Sequence, residues 1–427
     1  MTANSMQTRT HPSEATETPH VPEPSRPSLA PDAGRPSAPT LPPAKPAQRA
    51  IGKRPRMGTF LRVLITVTAV SHLPVAAAFA EMFRRLGLPS PWVLGSLLAA
   101  GGVGMFIARA GAGLTDRRRG AAVLRLVDVP FFIHWCAAIF TITPSLIATL
   151  AIPWFGVPMG VYMAAYLTGL VIAAYGILVR RRWFVVKEVT IPIPGLAPEL
   201  DGLRIAHLSD LHIGAITPKS WGERWVRAAN AQAADLTVIT GDMVTSGVEF
   251  HEDIAAVVGE LRAPLGVFVS MGNHDYFGEG EPLISLLEER GAEVLRNEGR
   301  VLERNGKRFY LAAIDDTWTR RDDLKKALAS RPAGTMSILL AHDPERFLHA
   351  AKAKVDLTLS GHTHGGQLAV PFLARVLSLS HLTHHFHLGL YRKGPSTLYV
   401  HPGLGTTGPP IRIGVAPAVV VHTLRTA

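Results

Sequence analysis

The sequence predicts an α/β domain of about 240 residues set behind an all-α membrane region of about four helices. Three observations carry this. Four apolar runs in the first half of the chain each approach the roughly twenty residues that cross a bilayer core. From about Val189 onward, short β-rich runs alternate with polar helical stretches. Five of those runs end in a His, Asp or Asn.

The bulk numbers agree with more than one region. The chain has 427 residues, more than a typical single domain. Its 47% hydrophobic content and mean hydropathy of +0.18 are high for a soluble enzyme. The formal net charge is +11, but placement matters more than the sum. Lys/Arg clusters at 53–56, 117–119 and 180–182 lie beside the apolar runs, where they read as topology signals for the cytoplasmic side. No basic stripe interleaved with aromatic residues is visible, so nucleic acid is not expected as a partner. The single cysteine, Cys136, excludes an internal disulfide and a Cys-based zinc site. Any metal chemistry must use His, Asp, Glu or Asn.

Residues 1–56 are rich in Pro, Ser, Thr and Ala. Such a segment buries too little apolar surface to offset its ordering entropy, so a disordered tail is expected. It is too long and polar for a signal peptide, and no twin arginine precedes the first apolar run. The apolar stretches fall at 60–80, 92–108, 129–150 and 156–179, inside a membrane region expected over 57–183. They show little amphipathic alternation, which favours membrane spans over buried core helices; Arg62, His72 and Pro74 interrupt the first. Basic residues precede the first span, separate the second from the third and follow the fourth, while "AIPWF" between the third and fourth is uncharged. Four spans with both ends inside satisfy this pattern, Arg84 and Arg85 excepted. The chain is then a multi-pass integral membrane protein whose remaining domain, expected over 184–427, lies on the cytoplasmic face.

In that domain "LRIAHLS", "LTVIT", "GVFVSM", "FYLAAI", "SILLA", "DLTLS", "LYVH" and "AVVVHTL" read as strands. Helix-like stretches lie between some of them, at 219–234 and 282–290, and "VTIPIPGLAPELDG" reads as a linker with an early edge strand. The polar residues sit where these strands end. "LRIAHLS" leads into Asp210 and His212, "LTVIT" into Asp242, and "GVFVSM" into Asn273, His274 and Asp275. "SILLA" leads into His342, and "DLTLS" into His362 and His364. In an open α/β sheet the carboxyl edge is where ligand sites form. Each element alone describes an ordinary turn or a surface histidine; the signal is in the set.

That set suits a pair of divalent metals. Imidazole, carboxylate and amide oxygen favour Mn²⁺, Fe²⁺ or Zn²⁺ over Ca²⁺. One carboxylate, assigned to Asp242, can bridge two ions about 3.5–4 Å apart. In D-x-H and H-x-H, extended backbone would point alternate side chains at one cluster. Gly361, Gly365 and Gly366 permit tight turns around it. Two metals would acidify a bridging water and clamp a phosphoryl oxygen.

The order D-x-H, GD, GNHD, H, GHTH resembles the calcineurin-like metallophosphoesterase superfamily. "LDGLRIAHLSDLHIG", "GHTHGGQ" and "HPGLGTTGPPIRIGVAP" are similar to its YkuE/YaeI-type membrane-associated phosphoesterases. The resemblance covers roughly residues 188–425. It implies a four-layer αββα sandwich. It also implies one metal held by Asp210, His212, Asp242 and His364, and a second held by Asp242, Asn273, His342 and His362. His274 would be the non-ligand histidine that protonates the leaving oxygen or binds the phosphoryl group. One departure stands out: where many members carry an Asp after the GD motif to orient that histidine, this chain has Thr245. Asp275 or another group must then take the role, or the acid step is weaker.

"HLTHHFH", with His381, His384, His385 and His387, reads as an exposed loop near the site's rim rather than an extra metal patch. "FGEGEP" fits a substrate-contacting loop or a surface turn equally well. The leading function is a membrane-anchored hydrolase of phosphomonoesters, phosphodiesters or pyrophosphates, with a lipid-linked substrate suggested by its place beside the bilayer. A non-catalytic membrane scaffold and a cyclic-nucleotide phosphodiesterase are the alternatives. A transporter reading is disfavoured because the spans offer no clear intramembrane carboxylate or basic pair, Glu81 and Asp128 falling at expected ends.

Overall fold

The computed structural model describes residues 57–111, 116–156, 158–374, 376–378 and 380–427. The tail expected to be disordered, 1–56, lies outside them. Among the described residues, four helices are long and apolar enough to cross a membrane: Leu61–Arg85, Pro91–Ala110, Ala121–Phe155 and Gly160–Arg182. Each begins or ends a few residues from its expected bounds, because polar residues near the ends find partners. Glu81 receives both Arg84 and Arg85, at 2.7 and 2.8 Å, so one carboxylate offsets half the charge of the two arginines that broke the pattern. Asp128 is likewise buried between Arg109 and Arg119, which lets the third helix start well before Val129. Pro74 sits inside the first helix without ending it, as membrane helices allow where neighbours re-satisfy the backbone.

The second half is built from twelve strands in two six-stranded sheets among the described residues. The first sheet has the order β1 (Val185–Ile193), β12 (Ala418–Thr426), β2 (Arg204–Leu208), β3 (Leu236–Thr240), β4 (Val267–Ser270), β5 (Glu293–Val294). The second runs β10 (Gly389–Lys393), β11 (Ser396–Val400), β9 (Leu357–Ser360), β8 (Ser337–Leu340), β7 (Lys307–Ala313), β6 (Glu298–Arg304). β2 to β5 are mutually parallel, as are β7, β8, β9 and β11.

Burial sets the layers. β3 reads LTVIT and every residue in it is buried, the pattern of a parallel strand covered on both faces. Ile205, Val238 and Phe268 of the first sheet meet Phe309, Ile338 and Leu357 of the second in one core. Each such fully buried side chain contributes about 1.5–3 kcal/mol. Helices Lys219–Asn230, His251–Val258 and Gly280–Glu289 cover the outer face of the first sheet through Trp225, Ile254 and Leu283. Trp225, Val226 and Ala229 face inward at helical spacing. The short helices Leu324–Ala327 and Phe347–Lys352 cover the other sheet. The result is the expected αββα sandwich.

The membrane helices do not hang from the sandwich by a single linker. Ile411 is fully buried in the helix cluster, and Leu368 and Ile413 pack against it. The Arg412 amide donates to the Gly176 carbonyl of the fourth helix at 3.3 Å. Arg181 at the end of that helix donates to Ile216 O and lies over the Trp221 ring. From the connection between the second and third helices, Asp116 accepts the Ala215 amide and Arg118 pairs with Asp253. That connection and the exit of the fourth helix therefore lie on the same side.

Inside the helix bundle His72, which interrupts the first apolar run, belongs to a polar chain. His72 Nδ1 lies 2.7 Å from the Thr68 carbonyl, which only accepts. The His72 Nε2 lone pair then receives His134 Nε2–H at 3.1 Å, and His134 Nδ1 receives the Tyr166 hydroxyl at 2.7 Å. The two histidines are 62 positions apart, so no local pattern could pair them.

Candidate metal centre

Each candidate residue sits just past the carboxyl end of a strand, and both sheets contribute. β2, β3 and β4 deliver Asp210 and His212, Asp242, and Asn273 with His274. β8 and β9 deliver His342, and His362 with His364. Donor atoms gather in three overlapping groups, each within 4.8 Å: Asp210, His212 and His364; His212, Asp242 and His274; Asp242, His342 and His362. Asp242 links the last two groups and His212 the first two.

The backbone brings them together by a route other than the extended tripeptides expected. Asp210, His212, Asp242, His362 and His364 all have positive φ, between 44° and 71°. In this left-handed region the chain turns sharply at each residue, so the side chains converge from turns rather than from alternate positions of a strand. Asp and His tolerate it better than branched residues, at a cost of about 1–3 kcal/mol each. The close approach also needs Gly361, where a Cβ would overlap Ser209 Oγ and Asp210 Oδ2.

Ring nitrogens face one another at short range. His212 Nε2 is 3.1 Å from His364 Nε2, and His362 Nδ1 is 3.2 Å from His342 Nε2. His342 Nδ1 donates to Thr240 O at 2.6 Å, which turns its Nε2 toward Asp242 Oδ2 at 3.1 Å. Burial disfavours charge at His342, but Asp242 and Asp210 outweigh it and hold the pKa up to about 10. Burial also works to raise Asp242, yet His342 and His274 prevail and keep it well below the carboxylate range. Asp210 is pushed up to about 6 by burial, against His342 and with the charge of Asp242. His362 is held down to about 4 by burial and by His342.

The residues present fit divalent cations. Asn273 Oδ1 is buried and meets no hydrogen-bond donor among the described residues, as an oxygen reserved for a cation would. Two carboxylates, an amide oxygen and four imidazoles form a hard-to-borderline donor set, and cation binding would displace the proton on His342.

The orienting group for His274 is neither an Asp nor the Thr245 hydroxyl. His274 Nδ1 donates to the Thr245 main-chain carbonyl at 2.6 Å, leaving Nε2 toward the site and 3.3 Å from Thr407 Oγ1. The Thr245 hydroxyl is turned away and donates to His212 O. Asp275 has a different task. Its carboxylate accepts the amides of Gly272, Asp242, Met243 and Val244 at 2.8–3.2 Å, pinning the GD loop.

Asp210, His212, Asp242, Asn273, His342 and His364 are buried, while His274 and His362 are partly exposed and mark the opening. Around them stand Phe277, 4.6 Å from the His274 ring, and Trp318, 5.8 Å from His362. His384 also faces His362 at 5.7 Å. Part of "HLTHHFH" thus reaches the rim as expected, but His387 is buried, its carbonyl accepting Thr363 Oγ1. Sequence reasoning passed over Trp318, Thr407 and Arg412. Trp318 carries no motif, whereas Thr407 and Arg412 lie in the "HPGLGTTGPPIRIGVAP" stretch, whose pattern assigns neither of them a role. Arg412 is fully buried, donates to Pro402 O and Gly405 O, and stands 3.3 Å from His364 Nδ1.

An αββα sandwich with His, Asp and Asn groups meeting at the carboxyl ends of both sheets defines a metallophosphoesterase, and the chain belongs to the calcineurin-like phosphoesterase family. The model of that family matches residues 203–366. Over 229 residues the chain is 31% identical to the uncharacterized metallophosphoesterase YkuE of Bacillus subtilis, covering 53% of this chain and 80% of that one. An uncharacterized metallophosphoesterase of Aquifex aeolicus is 32% identical over 247 residues, 56% of this chain and 91% of that one. A "transmembrane protein with metallophosphoesterase domain" from Danio rerio is 36% identical over 257 residues, 57% of this chain and 58% of the relative. The chain thus spans little more than half the length of that relative.

Proposed function

We propose that the chain is a membrane-anchored dinuclear-metal phosphoesterase that cleaves phosphomonoester, phosphodiester or pyrophosphate bonds, with a lipid-linked substrate. In this reading a membrane region over 57–183 carries a phosphoesterase domain over 184–427, held at the cytoplasmic face by the basic flanks of the helices. Asp210, His212, Asp242 and His364 hold one ion; Asp242, Asn273, His342 and His362 hold the other. Mn²⁺, Fe²⁺ or Zn²⁺ suits these donors. When bound, the ions supply Lewis acidity toward a phosphoryl oxygen and toward the attacking water.

The residues of the chain supply the rest. His274, with Nδ1–H committed to a carbonyl, presents Nε2 at the opening, where the doubly protonated ring can give its Nε2 proton to the leaving oxygen and return to the neutral tautomer. Phe277 and Trp318 narrow the approach and exclude water from the side of His274 and His362. The observation that carries the reading is the pair of donor groups joined at Asp242 beside a partly exposed histidine. The lipid-linked substrate is supported by the seam: the loop after His212, at 214–216, and Leu368 after His364 join 411–413 in touching the membrane helices or the connection between them.

The test uses the detergent-purified chain loaded with Mn²⁺, assayed on p-nitrophenyl phosphate, its bis-ester and phosphatidic acid in mixed micelles. Hydrolysis is expected, and Asp242→Ala is expected to lower both metal content and turnover, the latter by more than about 100-fold. If the wild type hydrolyses none of these and Asp242→Ala changes nothing, the reading fails.

A further inference from the structure

The segment that follows the GHTHGGQ loop turns back on itself as a small apolar hairpin. Ala369 bridges Ser378, and the Val370 amide donates to Leu377 O at 2.9 Å. Its described large side chains point outward: Val370, Leu373, Val376 and Leu377 are exposed, and Phe372 is fully so. A soluble surface rarely displays so many large apolar groups together.

The position of the hairpin says what covers it. Leu368, at its root, bridges Ile413, and both pack on the membrane-helix cluster in which Ile411 is buried. Ile411 lies against Gly176, where a Cβ would come within 2.6 Å of it. Gly176 is six residues before Arg182, about 9 Å toward the bilayer centre at 1.5 Å per residue. The surrounding Tyr175, Leu178 and Val179 are exposed apolar residues of the same helix. The hairpin root therefore lies at the depth where interfacial elements bury their apolar faces, about 5–10 Å into the headgroup and acyl boundary.

We infer that the hairpin at 369–378 inserts into the bilayer surface beside the fourth helix and forms the lipid-side wall of the metal centre. Leu368, at the bilayer, is four residues from His364. Beyond the hairpin the chain returns with His384 against His362, so one continuous segment lines both the lipid and the site. A phosphate carried on a lipid headgroup at this wall is already at the level of the opening. The inference rests on the four helices lying in a bilayer; it does not depend on the chemistry of the centre.

The full chain in phosphatidylcholine nanodiscs provides the test. With buried Cys136 changed to Ala, single cysteines are introduced as Phe372→Cys, Val376→Cys and, as a control on the exposed end of helix Gly280–Glu289, Glu289→Cys. Each is labelled with an environment-sensitive nitrobenzoxadiazole dye. The labels at 372 and 376 are expected to shift to the blue and lose most of their emission when the lipid carries acyl-chain spin labels; the control is expected to do neither. Equal quenching at 372, 376 and 289 overturns the inference. So does a blue shift without spin-label quenching that grows with protein-to-lipid ratio, which would mean that a second copy of the chain covers the hairpin. Because the readout is optical, a protein without measurable hydrolysis still decides it.

Discussion

His274 and Thr245 separate two ways of holding the imidazole proposed as the general acid. The acceptor for His274 Nδ1 is a main-chain carbonyl, so the side chain at 245 is nearly free to change. Thr245→Ala is expected to alter kcat by less than about threefold, since only one hydrogen bond to His212 O is lost. His274→Ala is expected to lower kcat by about 10²–10³ with metal content unchanged, the range of a lost general acid. Equal losses in the two variants, read by steady-state kinetics beside metal analysis, would contradict this division. The residues themselves were legible, because His, Asp and Asn at five strand ends form a chemical set that chance seldom assembles. Their backbone was not. Left-handed φ at Asp210, His212, Asp242, His362 and His364 leaves no trace in a sequence whose residues there are not glycine. Trp318 was equally invisible, since it reaches the opening from a loop by tertiary packing alone.

Among the elements, the GD turn after β3 depends on one carboxylate. Asp275 is buried and accepts four amides from 242–244 and 272. Asp275→Ala is expected to cost roughly 3 kcal/mol or more, from buried donors left unpaired. The check is a lowered apparent Tm together with weakened metal binding, because Asp242 loses its seat. Retained Tm would mean that the turn holds by other contacts. Buried parallel strands such as LTVIT and SILL were readable from β-branched, uninterrupted runs, as were helices Lys219–Asn230 and Gly280–Glu289 to within a few residues. β6, reading EGRVLER, and β10, reading GLYRK, were missed. These polar edge strands are formed by pairing with β7 and β11, and their own composition resembles loop.

The whole molecule is joined along a seam of backbone and apolar contacts, with little of it visible in sequence because its partners lie far apart along the chain, from 35 positions upward. Gly176→Leu would drive a side chain into Ile411 and is expected to lower both apparent Tm and turnover. Ile411→Ala, tested in the same background, is expected to restore part of each, a coupling that independent sites would not show. Arg412 gives this seam a mechanical meaning. Its amide holds Gly176 O in the fourth helix, while its guanidinium stands beside His364 Nδ1 and two loop carbonyls. A helix tilted by a mismatched bilayer would therefore pull on the residue that backs His364. Turnover in vesicles is expected to pass through a maximum as lipid acyl chains lengthen, whereas metal content stays constant. The thickness of the surrounding membrane then becomes a variable of the turnover rate, with Arg412 the part of the seam that reaches His364.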